Sequence, residues 1–297
     1  MSILSHLRVF EPHPNIIAFY DGRVEGHNFA DFPNWVDDGA LSLGIASYAI
    51  VNGHEAVVYD THVSIAHGQF IRETLAKRGV TTLTVVLSHW HLDHVAGTVA
   101  FADCSIIANR RTFGHLRKHQ KAIEAGTHHG PPAINPLVLP DRLFDGHMTF
   151  MLGNLEVQLI ETNIHSDDAT VVWLPSRGIL LAGDTMEDTI TYVGEPECFD
   201  VHLPELDRLY ALDPSFILPN HGDPDVIAAG GYDKGLIKAQ QQYIRILKRC
   251  AHDENLRKLP LAELIAGPLG RGWVHMFEPY EAIHRQNIMR VLKVAQQ

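Results

Sequence analysis

Between Ala40 and about Asn220, short apolar runs alternate with stretches of helical spacing, the rhythm of a mixed α/β chain. "YAIVNG" followed by "EAVVYD" predicts a hairpin turning at Asn52-Gly53. "FIRETLAKRG" sets Ile71 and Leu75 on one helical face and stops at Gly79. "LTVVLS" and "CSIIAN" are buried-strand runs. After the second, Phe113, Leu116, Gln120 and Ile123 form a helical face with Asn109 as its cap. A proline-rich loop, residues 126–140, precedes two further hairpins. These are "MTFML" with "LEVQLIE" around Gly153-Asn154, and "ATVVWL" with "GILLA" around residues 175–178. "SFILP" is a last short strand. Beyond Gly231 the pattern turns helical, in "KGLIKAQQQYIRILKRCAHDEN" and "EPYEAIHRQNIMRVLKVAQ". The expected division is a main domain over residues 1–230 and a helical extension, 231–297, packed on it.

The apolar run "TVVL" ends in "SHWHLDHVAG", which sets His89, His91, Asp93 and His94 close together. With 20 histidines in 297 residues, one cluster by chance carries little weight. The second half of the chain decides between chance and chemistry, because a metal site needs ligands from several segments. It offers His165 after "LEVQLIE", Asp184 straight after "ILLAG", and His221 just past "FILPN". Each candidate follows a predicted strand, where side chains of one sheet end converge. Imidazole nitrogen and carboxylate oxygen are zinc ligands, and two ions roughly 3.5–4 Å apart can share a hydroxide as nucleophile. Gly183 would allow close backbone approach beside Asp184.

Composition narrows the class. Apolar residues at 45% and charged residues at 20% are ordinary for a globular enzyme. The net charge of −11, without a basic tract, disfavours nucleic acid as a partner. No run of about eighteen apolar residues exists, so no membrane span is expected. The N-terminus lacks the basic and apolar regions of a secretory leader. Cys104, Cys198 and Cys250 are far apart and form no C-x-x-C, which suits reduced thiols in a cytoplasmic protein. "GPLGRG" follows no strand, so it is no nucleotide loop, and no G-x-S-x-G supports a serine nucleophile.

The ordered set His-x-His-x-Asp-His, lone His, Gly-Asp and His-Gly resembles the metallo-β-lactamase-fold hydrolase superfamily, over roughly residues 40 to 225. The resemblance implies a four-layer αββα sandwich of two similar halves, here with a C-terminal helical appendage. It also implies a dinuclear centre in a groove at one edge. His89, His91 and His165 would hold the first ion, Asp93, His94 and His221 the second, and Asp184 would bridge them. Asp60 matches a family aspartate that orients a ligand. The ions would be zinc, with iron or manganese as alternatives. Histidine rather than glutamate at position 91 argues against the flavin-linked di-iron branch.

The resemblance also bears on substrate. True β-lactamases lack the carboxylate at the Asp184 position, so antibiotic hydrolysis is not the expected main activity. "IHSDDA" around His165 departs from the His-Thr-Pro-Gly-His of glyoxalase II and many lactone hydrolases. The RNA-processing members add an arm or inserted domain that this acidic chain lacks. The expected reaction is hydrolysis of a lactone, thioester or ester of a small molecule, with Asp93 and Asp184 orienting the attacking hydroxide. The alternatives are a phosphodiesterase or nuclease on the same ions, and a metal-binding effector without catalysis. Trp90, His128 and His129 are candidates to line the groove, and Phe32, Trp35, Trp273 and Phe277 to rim it, each against ordinary packing. Tyr192, eight positions past Asp184, is too far along the chain to inherit the tyrosine role of lactonase relatives. Ile288 and Leu292 share a helix face on which subunits would pair as a homodimer.

Overall fold

Six consecutive residues, Ile16–Asp21, are buried without exception, which marks a strand covered on both faces. In the computed structural model, which describes residues 3–296, this is β2 of a seven-stranded sheet. That sheet runs in chain order through β1 (Arg8–His13), β2, β3 (Ile45–Asn52), β4 (Glu55–Tyr59), β5 (Thr82–Val86), β6 (Ser105–Asn109) and β7 (Arg142–Phe144). Pairing is antiparallel up to β4 and parallel beyond it. The parallel half requires crossovers, supplied by α1 (Ile65–Lys77), the short α2 (Leu92–Val95) and α3 (Arg110–Glu124). A second sheet holds β8 (His147–Leu152), β9 (Leu155–Glu161), β10 (Thr170–Leu174), β11 (Ile179–Gly183) and β12 (Phe216–Pro219). β8 to β11 form an antiparallel meander, and β12 returns parallel to β11 after α4 (Phe199–Ala211).

Alternation along β2 shows how the layers are built. Ile17 and Phe19 join the cluster under α1 and α3, with Ile71, Leu75, Leu116 and Ile123. Ile16, Ala18 and Tyr20 face the other way, into a cluster with Val157, Leu159, Val171 and Leu181 of the second sheet. Buried tyrosines tie the two sheets by hydrogen bonds. Tyr59 Oη donates to Thr170 O and Tyr48 Oη to Pro219 O, both at 2.5 Å, and Tyr20 Oη donates to Gly222 O at 2.9 Å. Gly183 has φ +56, and a Cβ there would meet Tyr59 Oη at 2.8 Å, so the close approach read from the sequence is real.

The tail follows α5 (Pro224–Ala228) and comprises α6 (Gly235–Cys250), α7 (Glu254–Lys258), α8 (Leu261–Leu264), α9 (Ala266–Gly270) and α10 (Tyr280–Ala295). Leu236, Tyr243, Leu247, Tyr280 and Ile288 belong to the same buried cluster as the inter-sheet residues. Ile288 is 7% exposed and Leu292 packs against this core, so the face suggested for subunit pairing is used within the chain. Among the described residues no helix is long and apolar enough to cross a membrane.

Several expected elements shift. The β3–β4 register pairs Asn52 with Glu55, so the two-residue turn is Gly53-His54, one position later than Asn52-Gly53. α1 begins at Ile65, where Ser64 Oγ accepts from His67 N. The sandwich has unequal halves, seven strands against five, because the unforeseen hairpin of β1 and β2 widens the first sheet. Leu159 is fully buried between the sheets. Leu159→Ala is expected to cost about 2–5 kcal/mol in urea unfolding, from lost transfer energy and the cavity left behind.

Candidate metal centre

The strands deliver their ends to one edge of the sandwich. His89 lies three residues past β5, and His91 caps the short α2 that carries Asp93 and His94. His165 follows β9, Asp184 follows β11 directly, and His221 lies two residues past β12. The fold brings all seven together in two groups whose ligand atoms lie within 4.8 Å of one another. One is His89, His91, His165 and Asp184, and the other is Asp93, His94 and His221. Asp184 Oδ2 joins them. It lies 3.7 Å from His89 Nε2 and 3.6 Å from His165 Nε2 on one side, and 3.1 Å from His94 Nε2 and 3.4 Å from His221 Nε2 on the other. Asp93 Oδ2 sits 3.5 Å from His94 Nε2 and 3.4 Å from His221 Nε2.

Four of the imidazoles present Nε2 inward because their Nδ1 is engaged elsewhere. His94 Nδ1 is 2.9 Å from Asp60 Oδ2, and His89 Nδ1 is 2.9 Å from Ser88 Oγ. His165 Nδ1 faces Tyr192 O at 3.2 Å, and His221 Nδ1 faces Gly44 O at 2.6 Å. His91 is the exception, with Nδ1 itself turned inward, 3.1 Å from His165 Nε2. Asp60 thus orients His94, the kind of role the resemblance implied. It is itself held by Ser88 N at 2.7 Å and Asn220 Nδ2 at 2.6 Å. Both Asp60 and His165 have positive φ, at 66° and 70°, a region side chains seldom adopt.

Burial penalises charge on every group here, and the neighbours decide which groups escape it. His89 is held well below its ordinary pKa by burial and the adjacent imidazoles, and His91 is lowered to about 3 the same way. Burial also pulls on His94 and His221, yet Asp184 and the other nearby carboxylates drive both well above the ordinary range. Burial would raise the two carboxylates, but His94 and His221 bring Asp93 to about 2 and Asp184 well below normal. The centre therefore holds positive charge among its carboxylates. Divalent ions answer the same demand, and the donors fit them: nitrogen and hard oxygen, with His89 Nε2 and Asp184 Oδ1 buried and lacking hydrogen-bond partners.

Comparison with known proteins agrees with this geometry. The family model of the metallo-beta-lactamase superfamily matches residues 43–230. The chain belongs to the metallo-β-lactamase superfamily. Members of this superfamily are metal-dependent hydrolases. The chain is 25% identical to "Metallo-beta-lactamase type 2" of Bacteroides fragilis, over 59% of its length and 67% of the relative's. It is 23% identical to "Beta-lactamase-like protein 2 homolog" of Caenorhabditis elegans, over 86% of its length and 78% of the relative's. The DIM-1 metallo-β-lactamase structure superposes with TM-score 0.58 at 21% identity, covering 81% of this chain and 97% of that one. A metallo-β-lactamase from Pontibacter korlensis gives 0.60 at 16%, covering 81% and 99%. At such identities these structures speak for the fold.

The candidate centre opens into a cavity of about 400 Å³. Trp90 and Trp35 line it, as do His128 and His129 of the proline-rich loop. Phe32 lines an adjoining outer groove with Trp35 and His129. Trp273 and Phe277 do neither. Trp273 packs beside Gly235, and Phe277 lies under the Arg23 guanidinium at 4.2 Å. Tyr192, set aside on chain distance, lines the cavity with its ring 5.8 Å from His165. Sequence reasoning also missed Glu187. It is buried in the cavity wall, accepts from Tyr192 N at 3.0 Å and Tyr280 Oη at 3.1 Å, and lies 3.6 Å from His165 Nδ1. Burial pushes its carboxyl above the ordinary value. No motif distinguishes Glu187 from its neighbours Asp188 and Glu195. Ile283, Gln286 and Arg290 of α10 complete the wall, from a tail the motifs do not reach.

Asp60→Asn removes the carboxylate behind His94 while leaving a hydrogen-bonding shape. It is expected to weaken metal retention about 10- to 100-fold against a competing chelator, with unchanged circular dichroism. Because His94 and His221 are raised above their ordinary pKa, the metal-free chain keeps protons on them near neutrality. Uptake of divalent ions at pH 7 should release protons, and lowering the pH should weaken uptake. Calorimetry in buffers of different ionisation enthalpy measures that release.

Proposed function

We propose that this chain is a dinuclear hydrolase that cleaves an ester-type bond, in a lactone, thioester or ester, of a small molecule. The observation that supports two ions is Asp184 Oδ2, 3.1 to 3.7 Å from imidazole nitrogens of both ligand groups. His89, His91 and His165 would hold one ion, and Asp93, His94 and His221 the other, with Asp184 between them. Zinc suits this donor set best, and iron and manganese accept it too. Such ions activate water and polarise a carbonyl oxygen.

The chain's own residues do the rest. Asp184 would offset the repulsion between two like charges. Asp93, one of the residues that would hold the second ion, also lines the cavity, where its carboxylate would orient the attacking water and accept its proton. Trp35, Leu43, Trp90, Leu92 and Ile283 give the cavity apolar walls. A volume of about 400 Å³ suits a small molecule rather than a polymer. The acidic composition gives phosphate backbones little to bind.

A panel of lactones, thioesters, esters, a β-lactam and bis-aryl phosphodiesters tests this reading. Turnover is expected on the carbonyl esters. Preference for the phosphodiesters or the β-lactam would overturn the substrate class, and silence on all would favour a metal-binding effector. Elemental analysis should find about two transition-metal ions per chain. Asp184→Asn keeps the shape but removes the charge, so it should lose at least one ion and at least about 100-fold in turnover. Asp167→Asn, which weakens a half-buried pair with His115 outside the two ligand groups, should keep both ions. Two ions and normal turnover in Asp184→Asn would disprove the ligand assignment.

A further inference from the structure

The helix that closes the cavity carries a guanidinium with no carboxylate partner among the described residues. Arg290, near the end of α10, lines the cavity with Gln286 and Ile283. Its guanidinium lies over the Tyr192 ring at 4.1 Å, and Nη1 donates to Val193 O at 3.1 Å. Among the described residues Nε and Nη2 meet no acceptor and no carboxylate pairs with the group. Six of the sixteen arginines, Arg72, Arg78, Arg110, Arg111, Arg208 and Arg285, pair with carboxylates, and what sets Arg290 apart from the other unpaired ones is its place in the cavity wall. Arg290 is also the one Arg or Lys among the described residues lining this cavity.

Position adds to charge. The Tyr192 ring under Arg290 is itself 5.8 Å from the His165 ring. The guanidinium therefore lies no farther from that imidazole than the two ring distances together, within reach of one small molecule. Burial disfavours its charge, so a partially desolvated guanidinium with two free nitrogens gains from an incoming anion. Of the other carboxylates in the wall Asp38 is exposed, and the three buried or half-buried ones already have partners. Glu187 is bonded to Tyr192 and Tyr280, and Asp93 and Asp184 to imidazoles. A single guanidinium balances a single charge and its fork matches a planar carboxylate, whereas a phosphate dianion would need a second cation.

We propose that Arg290 is a carboxylate-binding subsite, so that the substrates are esters or lactones bearing a free carboxylate. The carbonyl to be cleaved lies at the histidine–aspartate centre and the carboxylate at Arg290. This rests on the hydrolase reading above and deepens it. Arg290 lies outside residues 43–230, the part matched by the family model, so the subsite belongs to this chain's own tail.

Binding, independent of turnover, tests it on the metal-loaded protein. The diacids succinate, glutarate and adipate are titrated by calorimetry alongside their half-amides. Each pair keeps one carboxylate for the metals and changes the charge at the far end. At least one diacid should bind about 10-fold or more tighter than its half-amide, as a charge-assisted hydrogen bond allows. Arg290→Gln should abolish that ratio, and Arg290→Lys should keep part of it. The lysine variant also carries the test should the glutamine variant fail to fold. In kinetics, monomethyl esters of these diacids should be preferred over dimethyl esters, and Arg290→Gln should cost only the former. Equal binding of every diacid and half-amide by the wild type would overturn the subsite, as would equal losses on both in Arg290→Gln. Ester hydrolysis without charge preference leaves the hydrolase reading and removes the subsite. An Arg290-dependent diacid preference without any hydrolysis does the reverse.

Discussion

One carboxylate oxygen, Asp184 Oδ2, has four imidazole nitrogens crowded within 3.7 Å of it. A buried carboxylate is tolerable only with positive charge close by, and five buried or half-buried imidazoles are tolerable together only if negative charge or metal stands between them. Each half of the centre thus answers the other. In the metal-free chain the neighbouring carboxylates favour protons on His94 and His221. Divalent ions meet it more strongly, with directional bonds from donors already converged.

That convergence is held from behind by the backbone and by side chains that touch no substrate. Asp60, at the end of β4, reaches Ser88 after β5, Asn220 after β12 and His94 on α2. It therefore ties the first sheet to the second at the point where the ligands meet. Gly44 O and Tyr192 O fix two more rings from loops in distant parts of the chain. The buried tyrosines Tyr48 and Tyr59 lock the same edge by donating to carbonyls of β12 and β10. The geometry at the centre is a property of two sheets in register rather than of any one loop.

The tail adds what the sandwich lacks. α10 packs its Tyr280, Ile288 and Val291 into the core and leaves Ile283, Gln286 and Arg290 facing the cavity. Tyr280 and Tyr192 both bond Glu187, so the tail, the loop after β11 and the His165 ligand share one buried carboxylate. The candidate centre lies in the superfamily fold, and the tail supplies part of the cavity wall beside it.

The order and identity of the seven candidate ligands were legible in the chain, because each sits just beyond an apolar strand run and strand ends of one sheet converge. Asp60 was legible only through the resemblance to the superfamily, which places an aspartate after its early strand. The hairpin of β1 and β2 was not, since β2 is covered on both faces and its "IIAFYD" shows no alternation to read. Nor was α4 foreseen, where Pro204 interrupts the helical signal. Glu187, Arg290 and the placing of Tyr192 carry no local signature at all. Covalent order by itself determined which atoms were present and at which strand ends they would emerge. Only tertiary structure decided that His91 turns Nδ1 inward while its partners turn Nε2, and that Tyr192 and Arg290 meet over the cavity. Those outcomes depend on packing between segments 74 to 177 residues apart, which no spacing along the chain encodes.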